Sequence, residues 1–173
     1  MITKSRTIAI AAALSFLTVL AGAAKAQTKA PDFSLRAIDG EPVTAEGLRG
    51  EVAVLAFGAS WLPLSRNQLE GVKKLADDYS GRGVAVYWVS TDSESPKSKN
   101  YASDDQLRAL ARKYKVTVLR DPDGAVSKKL GVDQIPSIVI LDKQGNVAGG
   151  PIGGLDPTTS LVTQLSARLD KIL

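Results

Sequence analysis

The feature that most constrains this fold is a pair of nearly uninterrupted apolar stretches, EVAVLAFGAS at residues 51–60 and VAVYWVSTD at residues 84–92. A strand that is apolar at almost every position is buried on both faces, which is typical of a sheet covered by helices. Between them lies a segment of helical periodicity from Pro63 to Tyr79, ended by a Ser-Gly-Arg-Gly stretch. The order strand, helix, strand predicts an α/β fold.

The segments on either side extend this pattern. Residues 27–30 predict a linker, and residues 30–48 predict an amino-terminal β-hairpin around the turn signal Asp39–Gly40. Downstream, we expect a helix in DDQLRALARKYK, a strand in VTVLRD, a short helix in PDGAVSKKLGV and two strands in SIVILDKQGNVAGG. GGPIGG predicts a loop, and the last helix is expected to begin at Asp156–Pro157. Its apolar stripe comprises Leu161, Leu165, Leu169 and Ile172. This order of strands and helices predicts a central mixed β-sheet flanked by helices, with the hairpin as an amino-terminal extension.

The amino-terminal segment has the pattern of an export signal. A short basic start, MITKSR, precedes a long apolar run, and Ala24-Lys25-Ala26 offers small residues at both specificity positions of a signal peptidase. We therefore predict a signal peptide over residues 1–26, cleavage after Ala26, and one exported, periplasmic domain over residues 27–173. The alternative is an uncleaved membrane anchor, since the apolar run approaches the length of a transmembrane helix.

Charge gives no indication of a nucleic-acid partner. The chain carries 22 Lys and Arg and 18 Asp and Glu. Three of the bases, Lys4, Arg6 and Lys25, lie in the predicted signal, which leaves 19 bases against 18 acids and a net charge of +1. The clustered Lys and Arg of a nucleic-acid-binding surface are not seen.

The sequence contains no cysteine and no histidine. The chain therefore has no thiolate nucleophile, no disulfide and no thiol ligand, and it lacks the commonest general base and metal ligand. We expect no metal site and no cofactor.

Two motifs resemble the TlpA/ResA-like thioredoxin branch of the redoxins, which are exported thiol-disulfide oxidoreductases. FGASWLPLSRNQLE, at residues 57–70, is similar to their active-site strand and helix, and LGVDQIPSIVILDKQGNV to their cis-proline segment and final hairpin. The resemblance covers essentially the whole predicted mature chain, and it implies a thioredoxin-like fold.

The redox motif of that family is degenerate here. Where the family has W-C-x-x-C, this chain reads Trp61-Leu62-Pro63-Leu64-Ser65, so Leu62 and Ser65 occupy the two cysteine positions. Gln68 stands where many members have a glutamate. Because disulfide exchange needs a thiolate, we predict no catalytic residue.

The residues around the degenerate motif and Pro136 fit a role in non-covalent binding. The resemblance implies a cis bond before Pro136 and a backbone at Ile135 that pairs with an extended substrate. We expect Trp61, Leu62, Pro63, Leu64, Ile135 and Pro136 to form a surface for an envelope protein or peptide segment. A monomer acting as a chaperone, assembly factor or scaffold is the hypothesis. The first alternative is an oxidoreductase or peroxidase whose activity is lost or mutated away. The others are a loop needed only for folding, catalysis by unrelated means with Ser65, Arg66 or a carboxylate as the acting group, and a protein without a retained activity.

Overall fold

The computed structural model describes residues 28–173. The predicted signal peptide, its cleavage site and the domain boundary at residues 26 and 27 lie outside the described residues. Within them, no helix is long and apolar enough to cross a membrane.

The described chain contains strands and helices in the predicted alternation. The strands are β1 (Thr28–Lys29), β2 (Ser34–Ala37), β3 (Val43–Thr44), β4 (Val52–Gly58), β5 (Val84–Ser90), β6 (Thr117–Arg120), β7 (Ser137–Leu141), β8 (Asn146–Val147) and β9 (Ile152–Gly153). The helices are α1 (Pro63–Asp78), α2 (Asp104–Tyr114), α3 (Ala125–Lys129) and α4 (Leu161–Leu169).

The predicted mixed sheet is confirmed. The strand order is β1-β8-β7-β4-β5-β6-β2-β3, with β9 paired to β7. Strand β4 lies at the centre, parallel to β5 and antiparallel to β7. The predicted hairpin is present as β2 and β3, and Gly40 adopts the positive φ of 97° that its turn requires. The carboxyl ends of β4 and β5 therefore lie at one edge of the sheet, where α1 begins.

Helices cover both faces of the sheet. The central strand β4 is therefore buried throughout, and its side chains alternate between two cores. The first core contains helical residues from α1, α2 and α4, namely Leu69, Val72, Leu75, Leu107, Leu161, Leu165 and Leu169. The second core lies under the amino-terminal hairpin and α3 and includes Phe33, Leu35, Leu48, Val126 and Leu130. Helix α1 is thus fixed along one side, which positions the loop before it.

Two strands were not predicted. Thr28 and Lys29 were expected in a linker but pair with Val147 and Asn146 of β8. Ile152 and Gly153 lie in the GGPIGG stretch expected to be a loop, yet they pair with Ile138 and Ser137 of β7. Strands of two residues are too short to show periodicity, so backbone pairing alone defines them.

The predicted start of the last helix is wrong. Helix α4 begins at Leu161, with Ser160 as its N-cap, and the Ser160 hydroxyl accepts a hydrogen bond from the Thr163 amide at 3.1 Å. The Asp156 carboxylate instead accepts hydrogen bonds from the amide and hydroxyl of Thr158, at 2.8 and 2.7 Å. The side chain that was expected to begin the helix forms a separate turn before it.

Candidate functional site

The loop between β4 and α1 is held by its own hydrogen bonds. The Ala59 amide donates to the Ser65 hydroxyl at 3.1 Å, and the Leu62 amide donates to the Ala59 carbonyl at 3.1 Å. Leu62 is the N-cap of α1, without a side-chain capping bond, and Pro63 follows it. Proline suits this position because its missing N–H has no partner in the first turn of a helix.

A buried carboxylate fixes the outer part of the same loop. Asp92, just after β5, accepts hydrogen bonds from the Ser60 amide at 2.9 Å and the Ser60 hydroxyl at 3.0 Å. It also accepts a hydrogen bond from the Ser90 hydroxyl at 2.7 Å. The first turn of α1 adds a further contact, from Arg66 Nε to the Ser60 carbonyl at 3.1 Å. Asp92 is not among the residues predicted for the site; its position at the carboxyl end of a buried strand is the sequence signal that indicates it.

Ser65, at the second of the two degenerate redox positions, has a structural role. Its side chain is completely buried, and its hydroxyl oxygen accepts the Ala59 amide. An added Cβ at Gly58 would lie 2.9 Å from that oxygen, so the loop closes tightly over Ser65. A hydroxyl that is buried without a neighbouring base is no nucleophile.

Two large apolar side chains at this site are exposed to solvent. Trp61 is 49% exposed and Leu64 is 50% exposed. Pro63 beside them is exposed as well, whereas Leu62 is partly buried. Large exposed apolar side chains cost free energy in water, which is why a group of them indicates a contact surface.

The structure brings three of the six predicted surface residues into one groove. Leu64, Ile135 and Pro136 all line a groove of about 710 Å³ between α1 and the segment before α4. Trp61, Leu62 and Pro63, which directly precede Leu64 in the chain, do not line this groove.

The backbone beside Pro136 is available for pairing. The peptide bond between Ile135 and Pro136 is cis. Within residues 28–173, neither the amide nor the carbonyl of Ile135 takes part in a hydrogen bond. The side chain of Ile135 is partly buried against the second core. These two backbone groups can therefore accept and donate hydrogen bonds to a further extended segment.

Gln68 connects the site to the sheet. Its side chain is only 6% exposed, its Nε2 donates to the Ser137 carbonyl at 3.3 Å, and its Oε1 accepts a hydrogen bond from Trp88 Nε1 at 3.2 Å. An added Cβ at Gly58 would lie 2.8 Å from that Oε1. The sequence marked Gln68 only as a departure from the family pattern, since its partners lie 20 and 69 residues away.

A second polar network lies behind Asp92. The side chain of Arg120 is 2% exposed and donates to the Asp104 carboxylate at 2.6 Å and to the Asp92 and Ala102 carbonyls at 3.1 Å. Arg36 donates to both oxygens of Asp104, at 2.9 and 3.0 Å. The hydrogen bond from Arg36, with a further one from Arg120, lowers the pKa of Asp104 to about 2. This network fixes the chain after β5, and no sequence motif indicated it.

Comparison with known proteins identifies the family. Residues 26–149 match the model of the AhpC/TSA family, so the chain belongs to that family. It is 29% identical to the thioredoxin-like protein YneN of Bacillus subtilis (strain 168), over 72% of this chain and 70% of YneN. It is 24% identical to the thiol-disulfide oxidoreductase ResA of Bacillus thuringiensis subsp. konkukian (strain 97-27), over 69% of this chain and 65% of ResA.

The fold has close counterparts among solved structures. The exposed lipoprotein thioredoxin Etrx1 of Streptococcus pneumoniae strain TIGR4 superposes with a TM-score of 0.61 at 25% identity, covering 79% of this chain and 99% of Etrx1. The predicted thioredoxin-like fold and the family resemblance are thereby confirmed. This chain is similar to thiol-disulfide oxidoreductases of thioredoxin-like fold, but it has no cysteine with which to carry out disulfide exchange.

Proposed function

We propose that this protein binds extended or partly folded protein segments without forming a covalent bond, as a chaperone, assembly factor or scaffold. The observation that carries the proposal is the juxtaposition of Leu64 with Ile135. Half of the leucine side chain is exposed, and it lines the same groove as a residue whose backbone is unpaired among the described residues. An extended segment would add a strand at Ile135 and cover the leucine with its side chains.

The absence of cysteine changes how a client would be held. A thiolate captures a client through a mixed disulfide, whereas Leu62 in that position can offer only apolar contact. Covering the exposed halves of Trp61 and Leu64 would contribute about 1 kcal/mol each, from the usual free energy of burying such side chains. Together with a few backbone hydrogen bonds, this supports weak and reversible binding rather than permanent capture.

We further propose that the protein acts outside the cytoplasm. Support comes from the signal-like pattern of residues 1–26 and from the similar Streptococcus pneumoniae protein, which is described as an exposed lipoprotein. The clients would then be envelope proteins, which emerge unfolded after export. Amino-terminal sequencing of the protein from its own host should give a chain that begins at Gln27, and a chain that retains its first residues would contradict the proposed cleavage.

The binding proposal can be tested with a permanently unfolded, cysteine-free polypeptide that carries a fluorescent label. The purified protein should raise its fluorescence anisotropy, and Trp61→Ser with Leu64→Ser should weaken binding by about 10- to 30-fold, the equivalent of about 2 kcal/mol. Tyr101→Ser is the matched control, because Tyr101 is a third exposed large apolar residue, 38% exposed, on a different loop.

Thermal unfolding curves would check that the variants fold, which we expect because both replaced side chains are half exposed. If the double variant and the Tyr101 control bind as the unaltered protein does, the surface is not a binding site. The absence of binding by the unaltered protein would refute the proposal altogether.

A further inference from the structure

The groove beside Pro136 continues well beyond the redox-like loop. From Leu64 it runs along α1, whose Asn67, Glu70 and Lys74 line one wall. The opposite wall is formed by residues 154–160, which connect β9 to α4. A segment paired with Ile135 has this channel open beside it, so the groove walls would contact residues on either side of the pairing.

Hydrogen bonds hold the second wall in place. Gln164 of α4 accepts the Asp156 amide at 3.1 Å and donates to the carbonyls of Asp156 and Thr159 at 3.0 and 2.8 Å. The two helices approach closely beneath it, since an added Cβ at Gly71 would lie 2.8 Å from the Leu161 Cβ. The groove is therefore preformed, which reduces the entropy lost when a ligand binds.

The unpaired charges of the groove are acidic. Among the described residues, neither Glu70 nor Asp156 has a Lys or Arg within 4.0 Å. Hydrogen bonds from Thr158 lower the pKa of Asp156, so its carboxylate is ionised at neutral pH. Lys74, the one base that lines this groove within residues 28–173, is paired with Asp78 at 3.2 Å.

The polar side chains of the walls are suited to a polypeptide. The side-chain amides of Asn67 and Gln134 line the groove. A side-chain amide both donates and accepts, as the peptide group does, so these residues can pair with the backbone of a client in the groove.

We propose that the groove selects extended segments in which lysine or arginine accompanies the apolar residues, the basic side chain lying between Glu70 and Asp156. This inference rests on the proposed binding function and adds the chemistry of the client. Charge complementarity supplies specificity and a faster encounter, while the apolar contacts at Leu64 and Ile135 supply most of the affinity.

Three fluorescein-labelled peptides of about twelve residues would test the selection. They would share the same apolar residues and carry lysine, glutamine or glutamate at two intervening positions. We expect the lysine peptide to bind about fivefold more tightly than the glutamate peptide at low salt, and the difference to fall below about twofold in 0.5 M NaCl. Glu70→Gln should remove most of the preference. Glu46→Gln, an exposed acid outside the groove, should leave it unchanged.

The outcomes separate this inference from the function on which it rests. Equal binding of all three peptides, or tighter binding of the glutamate peptide, would overturn the selection and leave non-covalent binding intact. A lysine preference that persists in the Glu70 variant would also overturn it, because the preference would then arise elsewhere. Failure of every peptide to bind would overturn both proposals.

Discussion

Two buried polar side chains at this site, Ser65 and Gln68, have structural roles rather than catalytic ones. Ser65 and Gln68 are both buried, and each forms hydrogen bonds that join the loop, the first helix and the sheet. Gln68 can serve both partners because an amide donates and accepts at once, whereas an ionised carboxylate only accepts. The neutral residue thus fits the proposed role of the site, which is to bind a segment at Ile135 and Pro136 rather than to move a proton.

The substitution Gln68→Glu tests whether the buried side-chain amide is needed. We expect the free energy of unfolding at pH 7.5 to fall by about 1–3 kcal/mol, because the carboxylate cannot donate to the Ser137 carbonyl and loses its hydration. Burial would raise the pKa of this carboxyl group in the folded state, so the deficit should grow as pH rises above the unfolded value and shrink below it. Urea unfolding at pH 4.5 and 7.5 would measure this.

Gln144→Glu is the control for that measurement, since Gln144 is exposed on a turn. A variant at Gln68 that is as stable as the control at both pH values would show that the buried amide is not needed.

The buried Arg120 of β6 connects several elements of the fold through hydrogen bonds. Arg120 connects β6 to the chain after β5 and to the first residue of α2, and Arg36 of β2 contacts the same Asp104 carboxylate. A buried guanidinium requires such partners, because removing one leaves an uncompensated charge.

The network predicts an acid-sensitive contribution to stability. The lowered pKa of Asp104, about 2 in the folded protein, means that its contribution is present above the unfolded value near 4 and is lost as pH falls towards 2. Because the side chain is 41% exposed, solvent screening limits this contribution to about 1 kcal/mol. Comparing the unaltered protein with Asp104→Asn by denaturant unfolding between pH 2 and pH 6 would reveal it. If the two proteins lose stability in parallel over that range, Asp104 does not contribute as proposed.

The long elements were predictable from the sequence, and the contacts between them were not. Strands β4 and β5 and helix α1 have strong periodicity, and their positions followed from it. Strands β1 and β9 depend only on pairing, and the start of α4 depends on whether Asp156 or Ser160 caps it. Likewise, the exposed residues of the site could be named from the loop sequence. The roles of Gln68, Asp92 and Arg120 require partners that only the folded chain brings together.

The molecule as a whole has the thioredoxin-like fold that similar thiol-disulfide interchange proteins adopt. Strand β4, the loop and α1 hold position 62 at a helix amino terminus, where a thiol would have a lowered pKa. Position 65 lies one turn further, facing the loop.

Leu62→Cys together with Ser65→Cys should therefore restore exchange. We expect the double variant to form an internal disulfide and to reduce a disulfide substrate, while Leu62→Cys alone gives a reactive thiol whose pKa lies below the usual 8.5. Leu64→Cys with Ser65→Cys, which has the wrong spacing, should show little exchange. A double variant that folds, by circular dichroism, but reacts with no disulfide would contradict the proposed loop geometry.

Photo-crosslinking in the host tests most directly whether the surface at the degenerate redox motif binds clients non-covalently. A photo-crosslinking residue would replace Leu64 in the protein produced in its own cells, with Lys171 as the control position, and captured proteins would be identified by mass spectrometry. We expect a defined set of exported proteins to be captured at Leu64 and not at Lys171. Equal capture at both positions, or none at either, would contradict this expectation.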